Sequence, residues 1–183
     1  MKKTTILLVI IALVALYVWS SYNGFVGANE AVDKQWAQVE SQYQRRFDLI
    51  PNLVESVKGI MQQEQKIFGD LAEARTRYSG ASSVSDRVGA ANQVESALAR
   101  LLVVLENYPT LKSAENVQTL MVQLEGSENR ISVERQRFND DVRSLNVKVK
   151  KFPGNVIASI FGFNEREYFE AVSGAENAPE VKF

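Results

Sequence analysis

The apolar positions of the chain follow two different patterns. An unbroken apolar run from Ile6 to Trp19 opens the sequence, and beyond it apolar residues recur at alternating spacings of three and four. With its uncharged flanks, Thr4 to Tyr22, the run would form a helix of about 28 Å, enough to cross the hydrocarbon core of a bilayer. The second pattern is typical of helices with one apolar face. Together they predict an all-α protein with an N-terminal transmembrane helix.

We interpret residues 1–27 as a membrane anchor that is retained. No small-x-small cleavage site follows the run, and aromatic residues cluster at its far end, as in the interfacial belt of a transmembrane helix. The alternative is a cleaved signal peptide, because the strict apolar run is short. The side chains expected to contact membrane lipid are Ile6, Leu8, Ile11, Leu13, Leu16 and Trp19.

The lysines that flank the run predict its orientation. Lys2 and Lys3 precede it, whereas Lys34 is the only lysine in the stretch that follows. Cytoplasmic flanks of membrane helices carry the excess of positive charge. The N-terminus is therefore expected in the cytoplasm, and the domain after a single pass is expected outside, in the periplasm if there is an outer membrane.

The first helix after the anchor is predicted from about Ala28 to Tyr78. Its two heptad core positions carry Trp36, Tyr43, Ile50, Val57, Glu64 and Leu71, and Val39, Arg46, Leu53, Ile60 and Ile67. This register crosses Pro51 without slipping, which favours one helix of about 75 Å that is kinked at the proline. The alternative is two helices, with Pro51 at the first position of the second.

Further amphipathic segments complete the predicted architecture. They are a second helix at about 86–107 with Ser85 as its N-cap, a third from about Ser113 to the break at Pro153, and a short fourth that ends at Gly162. Long helices with one apolar face cannot bury it alone, so residues 28–170 are expected to pack as a helical bundle. Residues 171–183 are expected to form an irregular tail.

The composition excludes several classes of chemistry. The 183 residues include no cysteine and no histidine, which rules out thiolate nucleophiles, the usual zinc sites and any triad that contains histidine. The net charge of −1 supplies no basic patch for nucleic acid. No phosphate loop or nucleophile elbow occurs. We therefore expect no catalytic residues, no metal and no cofactor.

Charged residues nevertheless fall on the predicted apolar stripes. Arg46, Glu64, Glu128 and Arg135 occupy stripe positions, where an unpaired charge is costly to bury. They indicate a polar groove or a metal-binding carboxylate cluster or, as we favour, either pairing between helices or long side chains whose charged ends reach water. Our hypothesis is a polar clasp that sets the kink at the proline and the helix register. Its members are Arg45, Arg46, Asp48, Pro51, Asn52, Glu128, Asn129 and Arg130.

Four motifs in order resemble the LemA family of bacterial membrane proteins. They read "RRFDLIPNLVESVKG", "LENYPTLKSAENVQTL", "SENRISVERQRFNDDV" and "FPGNVIASIFGF", and the resemblance extends to the closing "APEVKF". One departure is "GIMQQEQ", where Gln63 precedes Glu64 in place of the family's usual histidine. This departure argues against a catalytic role for that position.

The resemblance implies a fold and a location, but no known activity. It implies an N-terminal transmembrane helix followed by an antiparallel four-helix bundle, in the inner membrane of a bacterium. Members of the family are often encoded near integral-membrane zinc metalloproteases. That proximity suggests a metalloprotease partner and a role in quality control of envelope proteins.

The sequence favours a membrane-anchored scaffold or adaptor that is not an enzyme. An anchor that confines long amphipathic helices to one plane favours self-association into a homo-oligomer. The apolar tail residues Pro179, Val181 and Phe183 form a candidate docking segment. The alternative is a sensor that binds a small ligand or peptide inside the bundle, which a cavity near Arg46 and Glu128 would favour. A hydrolase that uses only carboxylates is the least favoured.

Overall fold

The computed structural model describes residues 2–59, 61 and 64–169, and every regular element in these ranges is a helix. The helices are α1 (Lys2–Lys58), α2 (Gln65–Gly80), α3 (Val84–Leu105), α4 (Pro109–Lys112), α5 (Glu115–Lys150) and α6 (Gly154–Phe161). The prediction of an all-α protein is confirmed.

The chain divides into two compact units, and α1 and α5 each contribute a segment to both. Unit 1 combines Met1–Val39 with Glu134–Tyr168, and unit 2 combines Glu40–Val133 with the segment that begins at Phe169.

The first predicted helix is correct through the proline and wrong at its far end. Pro51 lies inside α1, so the alternative of a new helix starting at this residue is wrong. The helix ends at Lys58, however, and α2 begins only at Gln65. Gly59 follows the last helical residue, and glycine costs about 1 kcal/mol relative to alanine inside a helix. The apolar register did not reveal this break because Met61 stays fully buried without a continuous helix.

A short connection joins α2 to α3, and the predicted N-cap of α3 shifts by two residues. Ser83, and not Ser85, caps the helix: its Oγ accepts a hydrogen bond of 3.0 Å from the backbone N–H of Asp86 and donates one of 2.6 Å to the Asp86 carboxylate. This exchange resembles a capping box, which Ser85 cannot form with Val88.

In unit 2, side chains of four helices meet around the stripe of α1. The rings of Tyr43 and Phe47 pack on Tyr78 of α2, with centroids 5.5 and 4.7 Å apart. Asn116 of α5 donates a hydrogen bond of 3.3 Å to Ser56 of α1. The buried residues that α3 and α5 add include Leu98, Leu101, Leu105, Val117, Leu124 and Ile131. The predicted core positions of α1 in this unit are buried, and Arg46 is buried among them.

Two polar contacts join α2 to α3. Arg77 donates a hydrogen bond of 3.2 Å to Gln93, close to the connection, and Arg100 lies 3.6 Å from the carboxylate of Asp70, farther from it.

In unit 1, the C-terminal half of α5 packs along α1, and α6 folds back against both. The Trp36 and Phe138 rings lie 5.4 Å apart, and the ammonium of Lys148 donates a hydrogen bond of 3.1 Å to the Gly24 carbonyl. α5 ends before Pro153, as predicted. α6 ends as predicted at Gly162, whose φ of +75° is a left-handed conformation that glycine adopts without strain.

Candidate functional site

The most concentrated polar chemistry in unit 2 surrounds Arg46. Its guanidinium forms an ion pair with Glu128 of α5 and lies 3.7 Å from the carboxylate of Glu95 of α3. The Tyr43 hydroxyl, one turn earlier on α1, donates a hydrogen bond of 3.2 Å to the same Glu95 carboxylate. We call Tyr43, Arg46, Glu95 and Glu128 the Arg46 cluster. It links three helices through charge-assisted contacts, which are stronger than neutral ones.

The surroundings of the cluster leave part of Arg46 unsatisfied. Only 7% of the residue is exposed, whereas the Glu128 side chain is 43% exposed. The Arg46 Nε has no hydrogen-bond partner among the residues that the structure describes. A buried donor without a partner costs about 1–3 kcal/mol, and the cost is larger for a charged group. This unpaired donor therefore offsets part of the stability that the ion pair contributes.

A cavity of about 550 Å³ opens beside the cluster. Arg46 and Glu128 form part of its wall, and most of the remainder is apolar. The other lining residues are Leu98, Leu102, Lys112, Gln118, Met121, Val122, Leu124 and Glu125. A mostly apolar cavity of this size with a few converging polar groups is typical of sites that bind small molecules.

A different surface lies at the N-terminal end of unit 1. Most apolar side chains from Ile6 to Trp19 are more than half-exposed, Tyr17 is 45% exposed and Val18 is partly exposed, and none of them is buried by the rest of the described protein. The helix that carries them is apolar and long enough to cross a membrane. α3 also meets these two criteria, but its buried leucines belong to the core of unit 2. Length and apolar character therefore mark the start of α1 as the candidate membrane segment.

The aromatic residues after this run contact the end of unit 1. The ring of Tyr22 lies 5.0 Å from that of Phe161 and 5.7 Å from that of Phe163, and Phe25 stacks on Phe163 at 5.1 Å. Two of the aromatic residues at the far end of the run, Tyr22 and Phe25, are thus packed against α6 and the residues that follow it, whereas Trp19 is 66% exposed.

Comparison with known proteins decides the family. The LemA family model matches residues 35–183, which is most of the chain.

The chain belongs to the LemA family.

Relatives of this LemA-family protein include magnetosome proteins named MamQ. Two from Paramagnetospirillum magneticum are each 27% identical to it, and one from Magnetospirillum gryphiswaldense is 29% identical. Each match covers 81% of this chain and 64% of the relative, so the chain spans less than two thirds of the relatives' length. Family membership and the apolar N-terminal helix together support association with a membrane.

Within this LemA-family chain, the structure brings together only part of the predicted clasp. Arg46 and Glu128 form an ion pair. Pro51 lies partly buried within α1. The remaining predicted members are exposed: Arg45, Asp48, Asn52, Asn129 and Arg130. Asp48 accepts a hydrogen bond of 2.8 Å from Gln44, and the Asn52 carbonyl accepts one of 2.8 Å from Ser56, so both interact locally within α1.

Glu95 was not predicted as a site residue, although its helical spacing contained a signal. Glu95 lies four residues after Ala91 and three before Leu98, both of which are buried in α3. A residue at those spacings shares their helix face. A carboxylate there was a candidate partner for the arginine on the stripe of α1.

The docking tail Pro179, Val181 and Phe183 lies outside the described residues. Within those residues, no group of three or more carboxylates is arranged to hold a metal ion.

A polar contact orders the segment that follows α6. The Asn146 side chain donates a hydrogen bond to the Arg166 carbonyl and accepts one from the Arg166 N–H, both of 2.8 Å. The Arg166 guanidinium in turn pairs with Asp33. Nearby, a hydrogen bond of 2.7 Å from Lys150 to Glu165 raises the pKa of that lysine. These contacts attach the segment to both α1 and α5.

Proposed function

We propose that this LemA-family protein is a membrane-anchored scaffold with no enzymatic activity. In this proposal the start of α1 spans the inner membrane of a bacterium once, with the N-terminus in the cytoplasm. The remaining helices form an antiparallel four-helix bundle on the periplasmic side. The observation that carries the proposal is a change in exposure along α1.

That change occurs within one uninterrupted helix. Leu13 and Trp19 are 60% and 66% exposed, whereas Phe25 and the apolar stripe beyond it are buried. Exposing a row of large apolar side chains to water is costly, at about 25 cal/mol for each Å². A bilayer removes this cost, because every backbone group of a helix is already satisfied internally.

The contacts of unit 2 support the bundle. Side chains of α1 reach α2 through Tyr78, α3 through Glu95 and α5 through Glu128. Helices that bury one stripe each and are joined by short connections pack in this way.

Self-association and a metalloprotease partner complete the proposal. An anchor confines the protein to a plane and raises its effective concentration, which favours assembly through weak contacts. The tail Pro179, Val181 and Phe183 is our candidate for docking onto a neighbouring copy. The metalloprotease link rests on the family resemblance. The first helix beyond the membrane was predicted to extend to Tyr78, but α1 ends at Lys58. This helix is therefore shorter than predicted, and its length gives less support to self-association.

Site-specific labelling tests the anchor and its orientation. Because the chain has no cysteine, a variant with one cysteine inserted after Met1 and a Val103→Cys variant report the two sides of the membrane without background, and both keep the lysines that predict the orientation. Val103 is exposed in α3. In cells with a permeabilised outer membrane, a membrane-impermeant maleimide should label Val103→Cys and leave the N-terminal cysteine unlabelled. The opposite pattern would contradict the orientation, and labelling of both variants would contradict a single pass.

Size analysis in detergent tests self-association. The full chain at micromolar concentration should form a species larger than a monomer. Replacing Val181 and Phe183 with serine keeps the tail length and should reduce the assembly size. A strictly monomeric wild-type protein would contradict the scaffold, and an unchanged assembly in the variant would contradict tail docking alone.

The cavity beside Arg46 favours a second candidate function, a sensor of a small ligand or peptide. A ligand that binds only the folded protein raises its unfolding temperature. Among short apolar peptides, the sensor hypothesis predicts at least one that stabilises the wild-type protein. Met121→Trp should abolish this effect by filling the cavity, whereas Val103→Trp should preserve it. If no peptide in such a library stabilised the protein, peptide sensing at this cavity would be wrong.

The carboxylate hydrolase has the weakest support. Glu125 and Glu128 both line the cavity, but Arg46 already pairs with a Glu128 oxygen. Glu128 therefore already takes part in a structural contact between α1 and α5.

A further inference from the structure

We propose that Phe152 and α6 form a second membrane contact, which seats in the lipid headgroup region beside the anchor. The partner is the surface of a phospholipid bilayer. This inference rests on the proposed anchor, because α1 must hold unit 1 at the membrane for α6 to reach it.

The first support is the exposure of one face of α6. The helix has no charged residue, and the side chains of Ile157 and Ala158 are buried on its inner side. On the outer side Ile160 is 71% exposed, and Phe152, just before the helix, is 76% exposed. Val156 and Phe161 are about half-exposed. Adjacent large apolar side chains exposed in this way indicate an interaction surface.

The second support is continuity with the anchor. Phe161 contacts the ring of Tyr22, at the end of the apolar segment of α1. Phe152 lines a groove of about 330 Å³ together with Tyr17, which precedes Tyr22 by five residues on α1. The exposed face of α6 therefore extends the apolar surface of the anchor sideways.

The position along α1 also sets the expected depth. The α1 residues that line the groove run from Tyr17 to Phe25, which spans about 12 Å at the helical rise of 1.5 Å per residue. Phe152 therefore lies at the level where the anchor ends. Amphipathic helices that lie on membranes bury their apolar side chains about 5–10 Å into the boundary between headgroups and acyl chains at this level.

The third support is the charge at the rim of the groove. Lys148 and Lys151 line it together with Tyr17 and Phe152, and both lysines are exposed. One of the three N–H groups of Lys148 donates to the Gly24 carbonyl, which leaves two for a lipid phosphate. Exposed ammonium groups above an apolar surface complement the phosphates of lipid headgroups. Lys150 between them pairs with Glu165 and does not line the groove.

The backbone packing makes α6 a firm support for this surface. An added Cβ at Gly154 would lie 2.7 Å from the Lys148 carbonyl oxygen and 3.5 Å from the Phe25 ring. The first residue of α6 thus lies directly against α5 and α1. This close contact holds the exposed face beside the anchor.

Depth measurements on the full chain in vesicles test the inference. Single cysteines replace Leu13 in the anchor, Ile160 in α6 and Val103 in α3, and each carries a nitroxide spin label. Each variant is reconstituted into vesicles of phosphatidylcholine and phosphatidylglycerol. Collision rates with oxygen, which concentrates in lipid, and with a water-soluble nickel chelate report the depth of each label. Val103→Cys is the matched control, because this valine is also exposed and apolar but lies in unit 2.

We expect the label at Ile160→Cys to collide more with oxygen than with nickel, as at Leu13→Cys, whereas Val103→Cys should show the reverse. If Ile160→Cys matched Val103→Cys while Leu13→Cys reported lipid, the second contact would be wrong and the anchor would stand. Shielding of Ile160→Cys from both reagents would indicate coverage by another copy and would also overturn the inference. If Leu13→Cys reported water, the anchor would fail and the inference with it.

Two charge variants test the role of the lysines. Replacing Lys148 and Lys151 with glutamine should increase nickel collisions at Ile160→Cys in vesicles that contain phosphatidylglycerol. The same exchange at Lys58 and Lys112, which lie in unit 2, should have no effect. An equal change in both double variants, or none in the first, would overturn the assignment of these lysines to the headgroups.

Discussion

Replacing Gly154 with alanine tests the close packing that supports α6. In an unobstructed helix, alanine stabilises by about 0.5–1 kcal/mol relative to glycine, because glycine loses more backbone freedom on folding. At Gly154 the new Cβ would lie 2.7 Å from the backbone carbonyl of Lys148. A backbone atom cannot rotate away, so α6 must shift, and overpacking of this kind typically costs about 1–3 kcal/mol.

Gly27→Ala provides a matched control in the same unit. Gly27 lies in α1, and an added Cβ there meets no described atom within 4 Å. We therefore expect Gly27→Ala to be neutral or stabilising and Gly154→Ala to be destabilising, a difference of about 2–3 kcal/mol. Hydrogen exchange of the α6 amides in the detergent-solubilised full chain measures the local free energy of opening. Equal protection of α6 in both variants would refute the packing argument.

Three further predictions concern unit 2 and are measured by urea unfolding of the full chain. Arg46→Met should destabilise by about 3 kcal/mol because it leaves carboxylates without their cation, whereas Arg45→Met, at an exposed neighbour, should change stability by less than about 0.5 kcal/mol; equal effects would contradict the role of the cluster. Burial raises the pKa of Tyr78 from 10.0 to about 12, so the unfolded state loses the phenolic proton at a lower pH than the folded state does. The free energy of unfolding should therefore fall by up to roughly 3 kcal/mol as the pH rises between these two pKa values. Tyr78→Phe should remove this part of the alkaline destabilisation, and an unchanged alkaline profile of the variant would contradict the prediction. Ser83→Ala should cost about 1 kcal/mol through the lost cap of α3 and Ser85→Ala much less; the reverse order would restore the cap predicted from sequence.

Much of the fold could be predicted from residue spacing alone. The stripe through Tyr43, Ile50 and Leu53 correctly gave the buried face of α1, because a helix repeats every 3.6 residues whatever it packs against. The end of α6 at Gly162 was predicted for a similarly local reason, since glycine adopts a left-handed conformation without strain. The break after Lys58 was missed, because apolar residues can stay in register across a short non-helical segment.

The candidate site was less accessible to sequence reasoning. Arg46 and Glu128 could be paired in advance because both lie on apolar stripes, where an unpaired charge is costly. The contact between Glu95 and Arg46, and the cavity beside it, depend on how α3 packs against α1 and α5. The exposure of α6 beside the aromatic residues of α1 likewise results from the return of the chain after α5.

The sequence by itself determined the helical character, the apolar N-terminal segment and the absence of histidine and cysteine chemistry, because these follow from composition and local spacing. Only the tertiary structure decided which charges meet at Arg46, where a cavity opens and which face of α6 stays uncovered. These properties arise from contacts between residues far apart in the chain, such as Arg46 with Glu128 and Tyr22 with Phe161. Helical periodicity gives the face on which a residue lies, whereas packing selects the partner of that face.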